Sequence, residues 1–195
     1  MDSFSIILVV VLLILVILSA FFSGSETSIM ALNQIKLDNA EKQGNKSAKI
    51  INSLRKEINR VLGVILIGNN LVNISASALL TFFVIKKFGD EYVWIGTLLL
   101  TIFIIIFAEI APKSFAAKRP ESIAYPAGRI LKVLTKYLGS FSEMLTSISN
   151  SLTGIKNNEN YFSENLNRDE LKSVLEKETK EVDTEEMDAL KSILE

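Results

Sequence analysis

The chain has 195 residues, a formal charge of -1, 49% hydrophobic content and a mean hydropathy of +0.33, too apolar for an ordinary soluble domain of this length. It contains no cysteine and no histidine, which excludes disulfides, thiolate or imidazole metal sites, and Ser-His or Cys-His catalysis. The balanced charge hides a split, with half of the 22 acidic residues lying after Ser163, and it excludes nucleic-acid binding driven by overall positive charge.

The first apolar block runs from Ile6 to Phe22. A secretory signal would carry a basic leader, but Met1 to Ser5 offers only Asp2, so the block reads as a membrane span over about 4–31. A second block, Val61 to Ile85, predicts a span over 60–86, and a third, Tyr92 to about Pro112, predicts one over 91–113. Each can cross roughly 30 Å of hydrocarbon at about 1.5 Å per residue. Between the first and second spans lie Lys36, Lys42, Lys46, Lys49, Arg55, Lys56 and Arg60, whereas the second connection holds only Lys86 and Lys87 against Asp90 and Glu91. The excess of Lys and Arg places the first connection, over 34–58, in the cytoplasm, with the N-terminus outside and the C-terminus inside.

From 121 to 154 the apolar residues Ile130, Leu134, Tyr137, Leu138, Phe141, Leu145, Ile148 and Leu152 share one helical face, and Arg129, Lys132, Lys136 and Glu143 interrupt the rest. We read a helix lying at the headgroups rather than a fourth span, which would strand the charged tail outside. The tail, 160–195, has the composition of a short acidic helical bundle, with Asn167 capping and Leu171, Val174 and Leu175 as its apolar stripe. Two such short helices bury little alone and read as a connector. The fold class is therefore an all-α integral membrane protein: three transmembrane helices, amphipathic juxtamembrane helices and a small cytoplasmic bundle.

Polar residues interrupt the spans at three places: Ser23-Gly24-Ser25-Glu26-Thr27, then Gly68-Asn69-Asn70 with Asn73, then Ala108-Glu109-Ile110-Ala111-Pro112-Lys113. Counted from the outer ends, all three fall about 25 Å along their helices, at one level of the membrane. An ionised Glu109 inside hydrocarbon costs at least a few kcal/mol unless it faces a polar cavity or a cation. Pro112 cannot donate to the carbonyl of Ala108, and Gly24 and Gly68 allow close approach or loosening. Asn69, Asn73 and Ser77 share one face and supply neutral oxygens. Singly, each feature reads as ordinary helix packing; together they form an oxygen-only set that suits the hard cations Mg2+ or Na+.

These three ordered motifs, with Ala31-Leu32-Asn33 after the first, resemble the membrane domain of the CorC and cyclin-M (CNNM) family of magnesium transporters. The resemblance runs from Phe4 to the end and makes the tail the helical bundle that in this family precedes a pair of CBS domains, which these residues do not include. It implies a homodimer in the cell membrane, with Ser23, Asn69, Asn73 and Glu109 as cation ligands. Carbonyls near Gly24, Gly68 and Ala108 would help, and Asn70 and Ser25 stand beside them. It further implies export of Mg2+ from the cytosol, with Na+ as the exchanged ion. A membrane-embedded Mg2+ sensor or scaffold is the rival reading. An intramembrane protease is disfavoured, because the chain has no histidine and its spans hold no aspartate pair, and no enzymatic activity is expected.

Overall fold

The computed structural model describes residues 3–153; the tail reading over 160–195 lies outside the described residues. The first span is one helix, α1 (Ser3–Ala31). Asn33 caps α2 (Gln34–Lys42), its side chain accepting from Lys36 N at 3.0 Å, and Asn45 caps α3 (Lys46–Arg55), accepting from Ser47 N and Ala48 N. The connection read as helical over 34–58 is thus two helices, and Gly44 breaks it at φ +89°, a conformation glycine adopts without strain. Gln34, Asp38 and Glu41 of α2 join Asn52 and Arg55 of α3 in a hydrogen-bonded network that closes this hairpin.

The second span is α4 (Ile58–Phe88), which ends at Gly89 with φ +104°. The third is composite. It comprises a short 3-10 turn (Asp90–Tyr92), α5 (Val93–Ile104), a π-helical segment (Ile105–Ile110) and α6 (Ala111–Lys118). Among the described residues these three spans are long and apolar enough to cross a membrane, and no strand is present. The chain is an all-α, multi-pass membrane protein.

The last described helix, α7 (Pro120–Thr153), has three distinct sides. Its small residues Ala124, Ala127, Gly128, Thr135, Gly139 and Ser142, with Leu131, are buried against the rest of the protein. A Cβ on Gly128 would lie 2.6 Å from Cδ1 of Ile51 on α3, and Gly139 receives the Arg60 side chain of α4. Arg60 also pairs through Nε with Glu143 at 3.3 Å and through Nη1 with Glu57 at 3.1 Å, fastening α7 to the start of α4. The large apolar residues of the second side, among them Ile130, Val133, Tyr137, Phe141 and Ile148, are exposed, and Arg129, Lys132 and Lys136 form the third. An apolar side beside a basic one is what a helix at the bilayer interface requires. Of Tyr125, burial first and then the Glu121 charge push the hydroxyl's pKa up, so it stays neutral.

Deep burial concentrates where α2, α3 and α7 meet the ends of α1 and α4. Ile29, Leu37, Ala48, Ile51, Val61, Ala124 and Leu131 are all fully buried there. Water drives this packing, whereas within lipid the spans gain little from burying apolar surface and associate through small residues and polar contacts. Gly96 illustrates the second regime, since a Cβ there would lie 2.9 Å from Val84.

Candidate functional site

Helices α1 and α4 run antiparallel, and their register is set at three points. Phe4 meets Phe82 edge-on at the end of the bundle away from α2 and α3, with Lys86 Nζ 3.7 Å above the Phe4 ring. Deeper, Ser19 Oγ donates to Asn69 Oδ1 at 2.8 Å. One turn further, the Phe22 ring fills the space over Gly68, where a Cβ would come within 2.7 Å of its Cε1. Gly68 is therefore needed for close packing as well as for any loosening of the helix.

The third span runs parallel to α1 and is held to it at the Gly24 and Pro112 positions. A Cβ on Gly24 would meet Pro112 Cβ at 3.6 Å and Pro112 O at 3.8 Å, ordinary contact distances. Glu26 and Lys113 pair at 3.6 Å, about half exposed, just beyond this junction. The structure thus brings all three motifs to the same region of the bundle, but not to one plane. Asn69 stands level with Ser19, and Glu109 falls between the levels of Ser19 and Ser23. Because α1 and α4 run in opposite directions, Ser23 and Asn73 lie about one turn, roughly 6 Å, to either side of the Ser19–Asn69 bond.

The π-helical segment carries Glu109. Its widened turn closes with Ala111 N donating to Ile106 O, and Pro112 withholds the next backbone donor. Carbonyl oxygen is therefore available beside a carboxylate at this depth. Glu109 is half-buried, and among the described residues it has no hydrogen-bond or ion-pair partner. Ala108 before it is fully buried.

Three buried side-chain oxygens of the other two motifs also lack a partner: the hydroxyls of Ser23 and Ser25, and Oδ1 of Asn73. Native proteins leave few such atoms unsatisfied, and each one at a membrane depth calls for a ligand or water. Asn69 is half-buried and already bonded to Ser19, and Asn70 is exposed on the outer surface of α4. Ser19, fully buried, is the residue the sequence reading missed as a member of this group. Its spacing of four from Ser23 on an otherwise apolar helix was the available signal. Among the described residues no group of three acidic side chains gathers.

The cyclin M transmembrane N-terminal domain matches residues 10–188. The chain belongs to this family. Its relatives include the UPF0053 inner membrane protein YfjD of Escherichia coli, 39% identical over 181 residues that make up 91% of this chain and 42% of that protein. A UPF0053 protein of Haemophilus influenzae is 40% identical over 148 residues, 76% of this chain and 35% of its own. The DUF21 domain-containing protein At1g55930, chloroplastic, of Arabidopsis thaliana is 33% identical over 181 residues, 91% of this chain and 27% of that protein. The chain thus spans less than half the length of these relatives. Within the family match fall all three motifs, and the relatives agree with a multi-pass membrane protein associated with the lipid bilayer.

Proposed function

We propose that this membrane domain transports Mg2+ out of the cytosol in exchange for Na+, working as a homodimer with the N-terminus outside and the C-terminus in the cytoplasm. The observation that carries the reading is a set of unpartnered buried oxygens on the first two spans, those of Ser23, Ser25 and Asn73, together with the widened turn of the third span that bears Glu109. A hard cation satisfies such oxygens, and it also relieves the cost of a carboxylate at this depth. In this reading Ser23, Asn69, Asn73 and Glu109 are the cation ligands, engaged in turn along the ion's path because Ser23 and Asn73 stand about two turns apart, with carbonyls near Gly24, Gly68 and Ala108 assisting. Direction and coupling ion rest on the likeness to CorC and cyclin M proteins.

The dimer is supported by Asn70, a polar side chain exposed at mid-span, which a second copy would shield from hydrocarbon. Orientation is supported by the cluster of Lys and Arg between the first two spans.

The test is ion flux in sealed vesicles with imposed Mg2+ and Na+ gradients, comparing the wild-type chain with Glu109→Gln. Sodium-dependent Mg2+ flux that Glu109→Gln abolishes is expected. Mg2+ binding without flux by the wild type would make the protein a sensor or scaffold instead.

A further inference from the structure

Behind the Gly24–Pro112 junction lies a second feature, which the cation reading does not use. A cavity of about 290 Å³ opens between α1, α6 and α7, walled by Phe21, Gly24, Pro112, Phe115, Ile123 and Ile130. Its walls are almost wholly apolar, so it offers nothing to a hydrated ion. The volume lies at the lower end of small-molecule sites and holds a stretch of hydrocarbon chain rather than a whole amphiphile.

Basic residues adjoin the lining of this cavity in sequence. Lys118 lies three residues beyond Phe115 at the end of α6, Arg119 follows in the turn to α7, and Arg129 adjoins Ile130. All three are exposed, and none pairs with a carboxylate among the described residues. Between Arg119 and Arg129 the chain has one acidic residue, Glu121, so this stretch keeps a net positive charge. An apolar slot whose lining is flanked in sequence by exposed basic residues at the bilayer interface matches one chemistry: an acyl chain attached to an anionic headgroup.

We infer that the cavity between α1, α6 and α7 binds an anionic phospholipid, one acyl chain entering along Phe21, Phe115 and Ile130 and the phosphate resting on Lys118, Arg119 and Arg129. Basic pockets between helices at the membrane surface recognise lipid headgroups in this way. Because Gly24 and Pro112 form the inner wall, the lipid also braces the contact that joins the first and third motifs. The site needs neither Mg2+ nor transport, so it stands or falls apart from the proposed function.

Thermal unfolding of the full chain in detergent tests this, with dioleoyl phosphatidylglycerol and dioleoyl phosphatidylcholine added in parallel and glycerol phosphate as a headgroup-only probe. Phosphatidylglycerol should raise the midpoint at lower concentration than phosphatidylcholine, and glycerol phosphate should have little effect. The triple variant Lys118→Gln, Arg119→Gln, Arg129→Gln should weaken the phosphatidylglycerol response at least about tenfold and bring the two lipids together. Ile130→Trp, at a position 52% exposed and able to accept bulk, should fill the mouth and blunt both responses. The two variants alter different parts of the site, so loss of folding in one leaves the other as the test. Equal responses to the two lipids in the wild type would overturn the site. So would an undiminished preference in the triple variant, an unchanged response in Ile130→Trp, or glycerol phosphate acting as strongly as the lipid.

Discussion

Ser19 on α1 donates to Asn69 on α4 across 2.8 Å, and both are embedded among apolar neighbours. The bond fixes which turn of α1 faces which turn of α4, and it uses one of the two lone pairs of the Asn69 oxygen. Ser19→Ala should cost about 0.6 kcal/mol, the average for hydrogen bonds between membrane helices, and at most about 1.7 kcal/mol. Thermal unfolding in detergent measures the loss. A midpoint equal to that of the wild type would mean the bond does not hold the spans in register.

The two motif glycines should respond differently to an added methyl group. At Gly68 the new Cβ collides with the Phe22 ring, so Gly68→Ala should destabilise by about 1 to 3 kcal/mol, and Phe22→Leu in the same chain should recover part of that loss. At Gly24 the nearest neighbours stand at ordinary contact distance, so Gly24→Ala should leave stability unchanged or slightly improved. Paired unfolding curves decide. Loss of Mg2+ binding by a stable Gly24→Ala would then point to a role for Gly24 in the ion site rather than in packing.

Sequence alone located the three spans, because long apolar runs between charged connections have one physical meaning in a chain this oily. It located the motifs because carboxylate, amide and proline are costly or conspicuous inside a span. What it missed depends on contacts that periodicity does not encode. Gly68 looked like a loosening point, yet its partner is a phenyl ring 46 residues away in the chain. Arg60 read as a topology signal, and it also anchors α7 through Glu143. The apolar stripe of α7 was evident, but the small residues that bury the other side, such as Ala124, Gly128 and Ser142, carry little hydrophobic signal of their own. The equal depth of the motifs was counted from the ends of the apolar runs, which the packing does not bring level, so that Ser19 rather than Ser23 stands opposite Asn69.

Orientation can be read chemically, since the native chain lacks cysteine. Ser3 and Gln43 are both exposed, the first at the start of α1 and the second in the turn between α2 and α3. In intact cells an impermeant thiol reagent should label Ser3→Cys and spare Gln43→Cys until the membrane is opened. The reverse pattern would invert the topology.

Selectivity gives the sharpest check on the proposed ion site. Asn73 Oδ1 is buried without a partner, whereas Asn69 Oδ1 is engaged by Ser19. Removing Asn73 therefore deletes a ligand and breaks no bond in the ion-free protein, while Asn69→Ala deletes a ligand and also strands the Ser19 hydroxyl. Mg2+ demands near-octahedral geometry at about 2.1 Å and sheds water reluctantly, so a missing oxygen harms it more than it harms Na+. Asn73→Ala should then weaken Mg2+ roughly tenfold to a hundredfold, weaken Na+ competition less, and leave the ion-free unfolding midpoint near that of the wild type. Asn69→Ala should lower both the affinity and the midpoint. Calorimetric titration of Mg2+ with and without Na+, beside thermal unfolding of the same preparations, separates the two. Equal losses for both ions in Asn73→Ala would remove it from the coordination shell and return its orphaned oxygen to a merely structural role.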